Sequence, residues 1–224
     1  MKRLIVFLAV VISVVLFASL IGCDPQNEVK ETPEVTATKE PTPTPEPTEE
    51  PTPTPTPAPG TNVALNRPYE VSSDTGETHT VWGWHADYIN DGITEVIDSE
   101  HCGWTTQVGI MKTEEEWEDQ WVLIDIGGEL KIDKVILYPI QNSASFFPVD
   151  YHVEVSTDKD KFETVVSVTD DLSAEEADDT PKELTFDAIT ARYVRVVFTK
   201  PYSVPSPADG YLVQLAEIEI YTAE

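Results

Sequence analysis

The chain has 224 residues, of which 41 are Asp or Glu and 14 are Lys or Arg, giving a net charge of −27 at pH 7. So acidic a surface repels nucleic acid and anionic lipid headgroups, which excludes nucleic-acid binding and argues against a phospholipid-binding role. The chain has two cysteines, Cys23 and Cys102, and no Cys/His ligand spacing, so neither a disulfide framework nor a zinc site is indicated.

Met1-Lys2-Arg3 supplies a basic start, and residues 4–20 are almost wholly apolar. This is the pattern of a secretory signal. A retained membrane span is the competing reading, and the ending Leu20-Ile21-Gly22-Cys23 decides against it. That ending matches the bacterial lipobox: an aliphatic residue, a small or aliphatic one, Gly/Ala/Ser, then Cys. The match implies cleavage after residue 22 and lipid on Cys23, placing the mature chain on the extracellular face of a bacterial cell membrane. Residues 23–60 follow as a linker, reading Pro-Thr-Pro-Thr with interspersed Glu from Pro41 on. Such a composition builds no core and favours extended polyproline II at ~3.1 Å per residue, so it reads as a stalk.

Residues 61–224 are long enough for one domain with its own core. Trp121-Val122-Leu123-Ile124-Asp125-Ile126 reads as a strand ending in a turn at Gly127-Gly128. Residues 131–140, 151–155, 162–168, 184–186 and 192–199 read as further strands. Gln214-Leu215-Ala216-Glu217-Ile218-Glu219-Ile220-Tyr221 alternates with period two and reads as one closing strand. Helix is scarce. Thr113-Glu114-Glu115-Glu116 and Ser173-Ala174-Glu175-Glu176 have capping-box spacing and predict single turns. Several short strands divided by turns predict an all-β sandwich or barrel. Cys102 reads as a small buried hydrophobe.

Taken in order, these blocks resemble the discoidin domain, also called the coagulation-factor C-type domain, and most of all its bacterial members, the family-32 carbohydrate-binding modules. The resemblance is carried by Asn62-Val63-Ala64-Leu65-Asn66-Arg67-Pro68 and by the Ala-x-x-x-x-Asp-Gly signature over residues 86–92. Gly103-Trp104-Thr105-Thr106, the strand from Trp121, Phe147-Pro148-Val149-Asp150-Tyr151, Arg192-Tyr193-Val194-Arg195 and the closing stretch complete it. It implies an eight-stranded jelly-roll β-sandwich whose first and last strands lie together.

The resemblance also implies a structural calcium ion beside that seam. Asp91 and Glu217 would give carboxylate oxygens, and Tyr88, Ile93 and Ala216 would give carbonyls, the oxygen-only shell that calcium takes. Two carboxylates drawn together favour a cation between them. Where the family usually has Ser or Thr as a further ligand this chain has Cys102, a poor partner for a hard ion, with Asp98 and Ser99 as substitutes.

Family members bind ligands through loops at one end of the sandwich. Here those loops carry Trp82, His85, Trp117, Gln141, Asn142, Phe146 and Tyr202 as candidate ligand residues, with Tyr211 divided evenly between packing and contact. Trp84, Trp104, Trp121 and Phe147 fall inside fold-signature blocks and read as packing residues. Galactose-type members commonly carry an Arg where this chain has Ile140, so neither galactose nor N-acetylgalactosamine is implied. The expected function is a non-catalytic module that binds extracellular or cell-wall glycans by stacking on a neutral sugar face. The alternative is a cell-surface protein-interaction or structural domain with the same fold. No HExxH, nucleophile elbow or phosphate loop points to an enzyme.

Overall fold

The computed structural model describes residues 56–75, 82–97, 100–142, 144 and 146–224. The signal, Cys23 and the linker up to residue 55 lie outside the described residues, as do Asp98 and Ser99. Among the described residues there are eight strands. They are β1 (Tyr69–Val71), β2 (Trp104–Thr105), β3 (Gln120–Tyr138), β4 (Asp150–Ser156), β5 (Glu163–Val168), β6 (Lys182–Lys200), β7 (Gln214–Leu215) and β8 (Glu217–Thr222).

Two long strands form the frame. β3 and β6 run antiparallel for 19 residues each, from Gln120↔Phe198 to Leu137↔Lys182. Their first and second halves have different neighbours. Residues 122–124 of β3 pair with β1, and the matching part of β6 pairs with β4, which in turn pairs with β5. Residues 132–138 pair instead with β8. The change comes at a register shift between Asp125 and Leu130. Bulges of this kind let a strand turn a corner and pass from one layer of a sandwich to the other. Gly127 makes the corner feasible: its φ is +87°, and a Cβ there would lie 2.6 Å from the Arg67 guanidinium. The Gly-Gly pair therefore bends β3 where the sequence suggested an end. Likewise, the segments expected at residues 184–186 and 192–199 belong to one strand.

The closing stretch is divided, because its partners change and not because its alternation fails. β7 pairs with β2 through Trp104↔Leu215 and Thr105↔Gln214, whereas β8 pairs with β3. Ala216 sits between them and donates its N–H to the Tyr138 carbonyl at 2.9 Å. Gly103 allows this crossing, since a Cβ on it would meet the Leu215 carbonyl oxygen at 2.2 Å.

The layers close on Trp104, Phe147, Tyr151 and Phe198, each at most 2% exposed, with Ile, Val and Leu from β3, β4, β6 and β8. The Trp104 and Phe198 rings lie 5.9 Å apart and tie the short β2–β7 ladder to the long sheet. Each such buried side chain contributes ~1.5–3 kcal/mol. The chain start lies along its end: Gly60 and Val63 donate to Thr222 and Ile220 carbonyls at 3.0 and 2.7 Å. The two predicted single turns form at Glu114–Glu116 and at α1 (Ser173–Glu176). The Glu116 carboxylate reaches back to the Thr113 N–H at 3.2 Å.

Register also fixes where the loops emerge. Val71, Gln120, Asp150, Val168 and Lys200 all stand at one end of the β1–β3–β6–β4–β5 sheet. The loops after β1, before β3, before β4, after β5 and after β6 thus leave from one edge.

Candidate functional site

Two regions carry chemistry. The first is the seam where β8 begins. Glu217 opens β8 where both faces of the strand are covered, and like Ile218 after it, it is 0% exposed. One carboxylate oxygen accepts the Gly92 N–H at 3.1 Å, while the other is buried without a hydrogen-bond partner. A charged group so placed is costly, and burial pushes the Glu217 carboxyl up to about 8, with the nearby Asp91 charge adding to the rise.

Asp91 follows a 3-10 helix (Ala86–Asn90) that ends in the Asp91-Gly92 turn. Buried Asn90 fixes that turn, donating its side-chain N–H to the Ala64 and Arg67 carbonyls at 2.8 and 3.0 Å. Asp91 Oδ1 accepts the Ile93 N–H at 2.9 Å, and Oδ2 lies 2.8 Å from His101 Nε2. The His101 ring stacks near Tyr88 with centroids 4.0 Å apart.

The orphaned oxygen of Glu217, the adjacent Asp91 and the Asp-Gly turn fit a hard divalent cation. Among the described residues no group of three or more His, Cys, Asp or Glu side chains is arranged around a metal position. An ion here would therefore depend on Glu217 and Asp91 plus main-chain oxygens. Cys102 takes no part: it is half-buried rather than buried, and its thiol donates to the Trp82 carbonyl at 3.3 Å. His101, which sequence reasoning missed, is the side chain that engages Asp91.

The second region is the loop end. All seven expected ligand residues lie in loops that reach this edge, yet among the described residues no hydrogen bond or ring contact joins any two of them. Trp82 is 61% exposed. His85 caps the 3-10 helix, accepting the Asp87 N–H at 3.1 Å, and its ring lies 5.7 Å from Tyr88. Trp117 packs partly on the core with its indole N–H buried and unpartnered. Gln141 and Asn142 are exposed in the turn after β3, and the Asn142 N–H donates to Asp179 at 2.8 Å. Phe146 is half-buried and its carbonyl accepts the Gln214 N–H at 3.0 Å. It sits beside β7, whereas Trp82 sits beside Cys102, with the β2–β7 ladder between them. Ile140 is 7% exposed, so it belongs to the interior.

Tyr202 lines an open cleft of about 220 Å³ between the loops after β5 and β6. Its ring packs partly on the core, with Leu172 exposed opposite and Asp170, Glu175 and Lys200 around the rim. Nothing in the local sequence pattern joins these two loops.

Comparison with known proteins bears on this architecture. The family model of the F5/8 type C domain matches residues 70–210. Chitosan-binding module 1 of a chitosanase/glucanase from Paenibacillus sp. IK-5 is 26% identical, with a TM-score of 0.51 over 72% of this chain and 98% of that module. CpGH89CBM32-5 of Clostridium perfringens, solved with GalNAc-β-1,3-galactose, is 17% identical, covering 72% of this chain and 100% of its own with a TM-score of 0.52. The lectin domain of lectinolysin, complexed with Lewis B antigen, is 21% identical at a TM-score of 0.51, over 73% and 98% of the two chains. The latter two share the fold. No curated protein matches the chain.

Proposed function

The chain belongs to the F5/8 type C domain family, and on that premise we propose that it is a non-catalytic glycan-binding module, carried outside a bacterial cell on a lipid anchor at Cys23. The observation that carries the reading is the likeness to the chitosan-binding module, which extends over 98% of that module's length. The whole of a binding unit is matched, not one motif within it.

The chemistry of the loop end supports this reading. A pyranose presents an apolar C–H face and a rim of hydroxyls. An exposed ring such as Trp82 takes up the face, while neighbouring amide or imidazole groups bond the rim. His85, Gln141 and Asn142 offer those polar groups, and Phe146, Tyr202 and Trp117 offer further apolar area. A calcium ion held by Glu217, Asp91 and the carbonyls of Tyr88, Ile93 and Ala216 would neutralise the two carboxylates and lock the seam. Its role would be structural. Two or three acyl chains on Cys23 would anchor stably, and the Pro/Thr stalk would hold the domain off the membrane.

The test is a glycan array probed with the full-length chain in detergent, followed by titration calorimetry on the best ligands. Specific binding to one glycan class is expected. An array without a hit would overturn the reading in favour of a protein-interaction domain. In membrane fractionation, Cys23→Ser is expected to release the chain or leave it unprocessed, with loss of palmitate labelling. Unchanged fractionation together with unlabelled wild type would overturn the anchor.

A further inference from the structure

The cleft beside Tyr202 has the features of a ligand subsite, and its chemistry names a ligand class. Resting on the glycan-binding reading, we propose that this cleft holds one residue of an amino-sugar polymer, taking the sugar face on Tyr202 and its ammonium group between Asp170 and Glu175.

Size is the first reason. At about 220 Å³ the cleft matches one pyranose ring with its substituents and little more. Shape is the second. The Tyr202 ring is fixed by its packing on the core, so it forms a rigid plate, and Leu172, 51% exposed, supplies apolar surface on the facing loop. Leu172 is a large apolar side chain left in water immediately beside α1.

Uncommitted polar groups are the third reason. Among the described residues Asp170, Glu175 and Lys200 make no hydrogen bond or ion pair through their side chains, although most basic side chains near β4–β6 are engaged. Lys159 is paired with Glu70, Lys182 with Asp178, Arg192 with Asp125 and Arg195 with Glu154. Asp171, between them, is spent internally: it accepts the Tyr151 hydroxyl at 2.7 Å and the Ser173 N–H at 2.8 Å. Its charge remains. The cleft therefore carries three carboxylates against one ammonium, a field that favours a cationic ligand group and disfavours uronic or sialic acids. Lys200 remains available to donate to a ring hydroxyl. This departs from the expectation of a neutral sugar held by stacking alone.

Asp170 is positioned for the task by its backbone. It adopts φ +57°, and its N–H is held by the Asp150 side chain at 2.8 Å. Asn tolerates that conformation as well as Asp does, so the charge can be removed without disturbing the loop. Glu175 is exposed on α1, and Glu175→Gln is equally benign.

The experiment is calorimetric titration of the full-length chain in detergent with glucosamine trimer and, separately, with N-acetylglucosamine trimer. Wild type is expected to prefer the amine form by at least tenfold, and to lose most of that preference between 50 and 500 mM salt. The double variant Asp170→Asn/Glu175→Gln is expected to bind the amine form at least tenfold more weakly, with the neutral trimer unchanged. Tyr202→Phe should retain binding of both. Equal affinity of the double variant and wild type for glucosamine trimer overturns the proposal, as does a preference for the acetylated form. If neutral glycans bind and amino sugars do not, the subsite fails while the glycan-binding reading stands. If no glycan binds at all, both fail.

Discussion

At the β3–β8 seam, Glu217 has 0% exposure and one oxygen without a partner. At the loop end Asp170 and Glu175 also lack partners, yet both stand in water. The same functional group thus occupies two energetic situations. In the seam, the missing partner is charged against folding, because an ion taken from water has lost its solvation. At the loop end, water supplies the missing bonds and the group waits for a ligand at almost no cost to the fold. A seam residue is therefore tested by stability, and a loop-end residue by affinity.

The largest expected effect separates the two regions by pH. In chelator, Glu217 ionises near 4.5 when unfolded and near 8 when folded. Below pH 4.5 both states hold the proton and nothing is lost. Between the two values the unfolded chain releases a proton that the folded chain keeps, so stability falls as pH rises and levels off above about 8. At 1.36 kcal/mol per unit, the fall approaches ~5 kcal/mol. Denaturant unfolding in chelator at pH 5, 6.5 and 8 should show it, and Glu217→Gln should flatten the profile. Parallel profiles for wild type and variant would mean that the carboxyl has a partner after all.

Calcium should offset part of that loss. If the ion binds only the folded form at a hundredfold excess over Kd, it stabilises by about 2.7 kcal/mol. At pH 8, Glu217→Gln is expected to melt above wild type in chelator, and millimolar calcium is expected to raise wild type towards the variant while leaving the variant unmoved. A wild-type melting temperature that calcium does not raise would show that the seam holds no ion.

At the loop end, Trp82→Ala is expected to weaken glycan binding by ~1–3 kcal/mol, in keeping with an aromatic-sized apolar surface. Because the side chain is 61% exposed, stability should change by no more than ~0.5 kcal/mol. Calorimetry and melting on the same preparation would check both. A variant that unfolds while binding normally would transfer Trp82 from the loop end to the fold.

The smallest effect concerns His101. Replacing it by Gln removes the contact with Asp91 Oδ2 and the ring stack on Tyr88, for about 1 kcal/mol of stability and no change in glycan affinity. Urea unfolding is precise enough to see this. Altered glycan binding would show that the two regions communicate.

Most of the frame was legible from the sequence, because apolar runs such as Trp121-Val122-Leu123-Ile124 announce a strand wherever it lies. What the strand pairs with is not a local property. Ala216 keeps the alternation of its neighbours while the chain changes partner there, so nothing in Gln214–Tyr221 predicts the division into β7 and β8. Gly127-Gly128 permits a turn or a bulge equally well, and only the presence of both β1 and β8 beside β3 decides. The Asp91–Glu217 pairing was expected from the family resemblance and not from spacing, since 125 residues separate Gly92 from Glu217. His101 escaped because a lone histidine in a loop carries no periodic signal. Tyr202 was named as one aromatic among the candidate loop residues. Asp170 and Glu175 were not, because they meet it only once β5 and β6 have brought their loops to the same edge.

The meeting of the chain's beginning with its last strand has a mechanical consequence. Tension on the segment before Gly60 enters the domain at the Gly60–Thr222 and Val63–Ile220 bonds and passes into β8. β8 starts at Glu217, and the Asn90 side chain clips Ala64 and Arg67 to the Asp91 turn on the opposite side of the same seam. A pull therefore loads the seam before it reaches the interior. The junction around Glu217 is the latch of the domain: whatever closes it, proton or cation, sets the force at which the first strand pair peels away.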